Sequence, residues 1–127
     1  MEATDFRIGN LIECDGNILE VIRISKDVIN YETLIKSNGL QTNSGRKIPI
    51  KITQEWLVKL GFTIENKPNG DIEYFYKDYR YSLIYKENYD GYFFCDDDIV
   101  LRDLEFIHEV QNIYFALIGI EIKLKND

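Results

Sequence analysis

The residues of this chain best suited to acid–base or metal chemistry lie together in the stretch LEFIHEVQN (104–112). Glu105 and His108 have E-x-x-H spacing, which on a helix supplies metal ligands in di-iron bundles. Such a centre needs a second copy and further carboxylates on other helices, whereas this sequence holds one copy. We therefore predict no metal site here.

The same stretch could serve general-base chemistry, with His108 as the base and Gln111 or Asn112 beside it. No nucleophile motif accompanies these residues, so we predict no catalytic residues. Neutral polar groups on one side of a helix usually bond to a neighbouring loop or strand, and we favour that structural role. His108, Gln111 and Asn112 are kept as candidate ligand contacts.

The sharpest charge run is Asp96-Asp97-Asp98, which lacks the glycine and terminal glutamate of a calcium loop. The net charge of −7 is unevenly distributed. Residues 1–60 hold eight basic and eight acidic residues, while residues 61–127 hold seven basic and fourteen acidic residues. The run is interpreted as a solvated turn, with an acidic surface that faces a basic partner as the alternative.

Ten of the sixteen Tyr and Phe residues lie between positions 74 and 94. Apolar and polar side chains alternate from Tyr79 to Lys86, which predicts a strand with one buried face. The rings are therefore expected mainly to fill a sheet interior, with a ligand platform as the alternative and Tyr89 and Tyr92 as candidate contacts. Because the acidic half holds these rings, direct nucleic-acid binding is disfavoured.

The chain has two cysteines, Cys14 and Cys95, which we interpret as buried reduced thiols while leaving a disulfide open. No cofactor is implied. No apolar run approaches the roughly 20 residues of a membrane span, and the first residues do not have the pattern of a secretory signal. We expect a cytoplasmic protein with no membrane contact.

The first part of the chain is predicted to be an antiparallel meander. LIEC (11–14), ILEVIRI (18–24) and VINYE (28–32) have strand composition, and Asp15-Gly16 marks a hairpin. Residues 33–47 are polar and glycine-punctuated, which predicts a long loop or connector, and IPIKI (48–52) resumes a strand with Pro49 at a sheet edge. Residues 1–52 thus indicate a small, partial barrel of the Src-homology-3 kind.

The remainder, 53–127, is predicted as helix, β-meander, helix and strand. The first helix covers 53–62, with Thr53 as N-cap and Gly61 after its end. A three-stranded meander follows, with turns predicted at Asn69-Gly70, Lys77-Asp78 and 88–91. A second helix is expected over 103–119, with Asp103 as N-cap, and 121–124 as an edge strand. We predict an antiparallel β-rich α+β fold in one domain, 1–127.

Three stretches resemble a group of small uncharacterised proteins from phages and prophages of Bacteroidetes bacteria: RIGNLIECDG (7–16), IPIKITQEWLVKLGF (48–62) and HEVQNIYFALIGIEI (108–122). The shared pattern is RIGN, then PIxITxEWLxxLGF, then HxxQNxYFALxG. The chain departs from it at residues 118–121, where the group tends to have TGEE. The resemblance implies a mobile-element gene product inside a bacterial host cell, and it assigns no activity.

These observations favour a non-enzymatic accessory protein that binds a host or phage protein, with Asp96, Asp97 and Asp98 on the acidic surface. The alternative is a small-molecule or nucleotide-binding protein that uses the tyrosine-rich sheet and the polar side of the second helix. The sequence leaves the identity of the partner and a homo-oligomer open.

Overall fold

A computed structural model of the chain describes residues 6–25, 28–35, 47–97 and 99–124. The helices and strands, in chain order, are β1 (Leu11–Cys14), β2 (Asn17–Ser25), β3 (Val28–Ile35), β4 (Lys47–Pro49), α1 (Gln54–Lys59), β5 (Thr63–Asn66), β6 (Ile72–Phe75), β7 (Tyr81–Lys86), a short 3-10 helix (Glu87–Tyr89), β8 (Gly91–Asp96), β9 (Ile99–Leu104) and α2 (Ile107–Ile118). The predicted class, a β-rich antiparallel α+β fold, is confirmed.

By its internal contacts the chain forms two compact units. The first unit comprises Met1–Lys51 and Phe106–Ile122, and the second comprises Ile52–Glu105 and Lys123–Asp127. The second helix, which the sequence places in the 53–127 subregion, therefore belongs to the first unit. A single domain over 1–127 stays a prediction.

The first unit contains a four-stranded antiparallel sheet in the order β3-β2-β1-β4. Asp15 and Gly16 both have positive φ, 52° and 82°, as a two-residue turn between twisted strands requires, so the predicted hairpin is confirmed. Pro49 lies in the edge strand β4 as predicted, but β4 covers Lys47–Pro49, whereas the sequence predicts a strand over 48–52. One face of the sheet holds a buried cluster made of Phe6, Ile12, Cys14, Leu19 and Val21.

Helix α2 begins four residues later than the sequence predicts. Asp103 is not the N-cap, because it pairs with Phe93 and so belongs to β9. The residue before the helix is Phe106, whose backbone N–H donates to the Glu109 carboxylate at 2.9 Å. The helix ends before Gly119, whose φ of 71° confirms the predicted ending.

The second unit contains a five-stranded antiparallel meander in the order β5-β6-β7-β8-β9. The sequence predicts only three of these strands, and the structure adds β5 and β9 at the two edges. Tyr74, Leu83 and Phe94 lie opposite one another across β6, β7 and β8, and all three are fully buried. They form the centre of this unit's core.

Helix α1 has the capping residues that the sequence predicts. The Thr53 hydroxyl accepts a hydrogen bond from the Trp56 backbone N–H at 3.2 Å. Gly61 has a φ of 100°, and the Phe62 N–H donates to the Leu57 carbonyl at 3.0 Å. This is the glycine-terminated helix ending in which a left-handed residue turns the chain away.

The aromatic segment between residues 74 and 94 mainly fills the interior. Three of its ten rings are buried and five are half-buried, while Tyr79 and Tyr89 are exposed. The expectation of interior packing is confirmed for most of the segment.

Residues 121–124, predicted as an edge strand, have no regular secondary structure. Ile122 is buried, and its carbonyl accepts from a helix side chain instead of from a strand. Of the connector predicted over 33–47, residues 36–46 lie outside the described residues, while 33–35 belong to β3 and Lys47 to β4, so these four positions are strand and not loop. Among the described residues, no helix is both long and apolar enough to cross a membrane.

Candidate functional site

The candidate residues on α2 form hydrogen bonds within the first unit. Gln111 is fully buried, and its amide nitrogen donates to the carbonyls of Gly9 at 3.0 Å and Ile122 at 2.9 Å. Its amide oxygen accepts from the Leu11 N–H at 3.0 Å and from Asn10 at 3.5 Å. The carboxamide has its donors and acceptor engaged by the chain, so it acts as a structural bridge.

Asn112 belongs to the same hydrogen-bond network at its more exposed side. Its oxygen accepts from the Asn10 amide at 2.8 Å and from the Arg7 guanidinium at 3.1 Å. The guanidinium also forms an ion pair with Glu121 at 2.6 Å and lies 4.1 Å from the Phe115 ring centre. Arg7 therefore links the turn before β1 to helix α2 and to the segment that follows α2.

His108 is buried between aromatic rings of the first unit. The Phe6 ring centre lies 4.7 Å from that of His108, and the Phe106 ring is stacked at 5.8 Å. The side chain is almost inaccessible, which a general base acting on an external substrate would not be.

The structure thus joins Gln111 and Asn112 to two residues that the sequence did not indicate as site residues, Arg7 and Asn10. His108 instead packs against Phe6 and Phe106. Arg7 and Asn10 both belong to the RIGN motif, which was the available signal for their importance. Their partners lie about a hundred positions away along the chain, so the sequence did not show which groups they would bond.

In the second unit, Tyr92 lies in a cluster of phenols on β6, β7 and β8. Its ring centre is 6.0 Å from that of Tyr74 and 5.0 Å from that of Tyr85. The Tyr74 hydroxyl bonds to Gln54 at 3.1 Å, and the Tyr85 hydroxyl donates to Asp90 at 2.6 Å. The cluster is a polar network in which Tyr74 is buried and Tyr85 and Tyr92 are half-buried.

The phenols of this cluster are held in their neutral forms. Burial raises the pKa of Tyr92 strongly, and the Tyr74 phenol beside it adds to the shift. Burial likewise raises the pKa of Tyr74, whereas the hydrogen bond to Asp90 is the main cause of the raised pKa of Tyr85. None of these shifts prepares a phenolate for chemistry near neutral pH.

Tyr89 is an exposed candidate residue, with 73% of its surface accessible. It lies in the 3-10 helix between β7 and β8, where its ring contacts Phe93 edge-on at 6.1 Å. Its exposure suits a contact residue, and its position at a turn separates it from the buried aromatic core.

The acidic run begins at the end of β8, at the other end of the sheet from Tyr89. Asp96 forms a two-pronged ion pair with Arg80, with distances of 2.7 and 2.6 Å. Asp97 is exposed in the turn, with a φ of 56°, and Asp98 lies outside the described residues. The structure therefore supports a turn in which one carboxylate is paired and the next faces solvent.

A buried carboxylate on the same sheet went unrecognised in the sequence. The Ser82 hydroxyl donates to Glu73 at 2.7 Å, and Lys67 forms an ion pair with the other oxygen at 2.6 Å. Ser82 is fully buried, so no substrate reaches its oxygen. The trio is a structural cross-strand contact, and only the register of β6 against β7 could have revealed it.

The outer edge of the second unit's sheet carries the remaining feature. β9 has exposed apolar side chains, with the exposed carboxylates of Asp97, Asp103 and Glu105 at and around it. We call β9 and these three carboxylates the acidic edge. The sequence does not reveal this edge, because the pattern at 103–119 predicts a helix and no strand is predicted at 99–102.

Neither cysteine of the chain is in a disulfide, and both are buried. Within the described ranges, no three His, Cys, Asp or Glu side chains are grouped so that they could hold a metal ion. Comparison of the chain with protein-family models, curated proteins and solved structures finds no match. The resemblance to a phage and prophage group therefore stays a prediction.

Proposed function

We propose that this chain is a non-enzymatic binding protein whose ligand is another protein with a basic surface. The observation that carries the proposal is the surface charge of the second unit. Its described residues expose eight carboxylates against five Lys or Arg side chains. Exposed charged side chains of this kind can contact a partner that carries the opposite charge.

The candidate residues differ in how well they fit this role. Gln111 is hydrogen-bonded within the first unit, and Tyr92 is part of the phenol cluster, so both side chains have a structural role. Asp97 and Tyr89 are exposed and can reach a partner. The small-molecule alternative stays a prediction, and the saturated hydrogen bonding of Gln111 does not favour it.

The proposal extends to the context in which the protein works. The RIGN, EWLxxLGF and HxxQN motifs support membership of the phage and prophage group, and with it action on a host or phage protein in the bacterial cytoplasm. In this structure the motif residues cap α1 and form the Arg7–Gln111 network. The residues of the shared pattern thus have structural roles in this fold and do not form a binding surface.

We also propose that the first unit's sheet is a partial barrel of the Src-homology-3 kind. The pairing of β2 with β3 is irregular at two places, between Ile18 and Leu19 and between Val21 and Arg23. Such irregularities bend a sheet and are common where barrels close. An experimental structure in which the β3 and β4 edges stay far apart would refute this assignment.

The binding proposal is tested by affinity capture from a bacterial host lysate. Wild type is compared with an Asp97→Lys/Asp103→Lys double variant and with a control, Glu20→Lys/Glu32→Lys, which makes the same charge change in the first unit. We expect specific captured proteins to be lost in the first variant and retained in the control. Equal capture by both variants, or capture that is unchanged between about 50 and about 500 mM salt, would contradict the proposal.

A further inference from the structure

The outer side of β9 is an open sheet edge. β9 is the last strand in the order β5-β6-β7-β8-β9, and in the described part of the chain no strand pairs with its outer side. In an antiparallel ladder, alternate residues direct their backbone N–H and C=O groups away from the inner neighbour. β9 therefore presents backbone groups that can pair with another strand.

The side chains along this edge are apolar to an unusual degree. Ile99, Val100 and Leu101 are 65%, 43% and 49% exposed. The other edge strand, β5, is shorter and polar apart from Ile64, which is 38% exposed. Natural edge strands are normally protected by charges, by shortness or by a β-bulge. β5 is short, whereas the first half of β9 carries no charge and its protection is limited to the irregularity at Leu101, which is skipped in the register with β8.

The charges around β9 indicate what would pair with it. Asp97, Asp103 and Glu105 are exposed carboxylates, and Arg102 is the one exposed cation among the described residues from 96 to 105. Ile99 pairs with Asp96 and Asp103 pairs with Phe93, three positions apart on β8, so Ile99 and Asp103 lie on opposite faces of the sheet. A strand along this edge is therefore stabilised by basic side chains on the Asp103 face and by apolar ones on the Ile99 face.

We propose that β9 binds an extended, basic segment of the partner protein, which adds to the sheet as a sixth strand. Backbone hydrogen bonds would supply the affinity, and alternating lysine or arginine and apolar side chains would supply the selectivity. This inference rests on the proposed function and specifies its surface and its ligand.

A second copy of the chain fits the edge less well. In a two-fold antiparallel pairing, the residue at the centre of the register faces its own counterpart. Whichever residue is at that centre, the pairing brings together two edges that each expose three carboxylates against one cation among the described residues 96–105, and these like net charges repel. A basic strand meets no such repulsion from the carboxylates.

The test uses three synthetic eight-residue peptides with blocked ends. The first alternates lysine and valine, the second replaces each lysine with glutamate, and the third is the first peptide with alternate backbone nitrogens methylated. Binding is followed by amide chemical shifts of the isotope-labelled full chain. We expect the first peptide to bind and to shift the amides of residues 99–104. The other two should bind about tenfold or more weakly, because they lose charge complementarity or ladder hydrogen bonds.

The matched variants are Leu101→Lys on β9 and Ile64→Lys on β5, which add the same charge to opposite edges of one sheet. We expect Leu101→Lys to weaken binding of the basic peptide about tenfold and Ile64→Lys to change it by less than about twofold. Thermal unfolding of both variants verifies that they fold. The methylated peptide tests the wild type directly, so the result does not depend on the variants.

The outcomes separate this inference from the function on which it rests. Salt-sensitive binding of the basic peptide that leaves residues 99–104 unshifted, or that tolerates backbone methylation, overturns strand addition and leaves the acidic binding protein standing. Absence of salt-sensitive binding together with no charge-dependent capture from lysate overturns both. Concentration-dependent dimerisation that Leu101→Lys abolishes assigns the edge to a second copy and overturns the basic-strand proposal.

Discussion

The carboxamide of Gln111 joins three separated parts of the first unit: the turn at Gly9, the start of β1 at Leu11 and the segment after α2 at Ile122. A single side chain that satisfies three buried backbone groups does structural work that no apolar residue of similar size can replace. A ligand contact at this position would require the chain to give up bonds it already has.

We predict that Gln111→Leu destabilises the protein by about 3 kcal/mol or more, because each buried polar group left without a partner costs roughly 1–3 kcal/mol. Urea unfolding measures the loss. The matched control is Gln54→Leu on the exposed start of α1, which breaks one bond to Tyr74 and should cost under about 1 kcal/mol. Equal costs for the two variants would show that Gln111 is not the bridge described here.

The phenol cluster predicts how stability depends on alkaline pH. The pKa values of Tyr74, Tyr85 and Tyr92 are all raised above 10.0 in the folded protein. Their protonated forms are thus favoured by folding, and the stability this contributes is complete below pH 10 and is lost as pH rises above it. We expect the urea midpoint to stay level up to about pH 9 and to fall as pH rises above about 10.

Two tyrosine variants identify the source of that fall. Tyr92→Phe should flatten the decline above about pH 10, since it removes a strongly shifted group. Tyr89→Phe, which changes an exposed ring, is the control, and its urea midpoint should depend on pH as that of the wild type does. A decline that is the same in wild type and Tyr92→Phe would refute the assignment.

Among the elements, α1 depends most visibly on its capping residue. We predict that Thr53→Ala lowers the free energy of unfolding by about 1 kcal/mol, because the first turn loses the bond to the Trp56 N–H. Thr63→Ala, at an exposed strand position, should change it by less than about 0.5 kcal/mol. Thermal or urea unfolding distinguishes them, and no loss in Thr53→Ala would mean that solvent caps the helix equally well.

The elements with strong local signals were predictable from the sequence. The Asp15-Gly16 hairpin and both ends of α1 follow from residues whose backbone preferences leave few alternatives. The start of α2 was not, because Asp103 is a good N-cap in isolation and only its pairing with Phe93 reveals a strand. β5 was missed for the same reason: TIEN is polar, and its place at a sheet edge comes from β6.

The candidate site was also predictable from the sequence only in part. The sequence indicates that the polar groups of α2 bond to a neighbouring segment, but it does not show that Arg7, Asn10 and Gly9 are that segment. Long-range partners of this kind depend on topology and not on local propensity. The acidic composition of residues 61–127 was visible from the start, whereas the exposure of Ile99 and Val100 beside those charges required the sheet order.

At the scale of the whole molecule, the two units treat polar groups differently. The first unit buries Asn10 and Gln111 and satisfies them internally. The second unit exposes more carboxylates than cations and leaves one long sheet edge without a strand partner among the described residues. The polar network of the first unit therefore has a structural role, and the acidic edge of the second unit is where we propose that a partner binds.

The salt dependence of binding to the basic eight-residue peptide tests this assignment most directly. With wild-type protein we predict that the dissociation constant rises about tenfold or more between about 50 and about 500 mM sodium chloride, since exposed charge pairs are screened over that range. Asp97→Asn/Asp103→Asn should bind more weakly at low salt and depend less on salt. A dissociation constant that is the same at both salt concentrations, or in both proteins, would contradict the account.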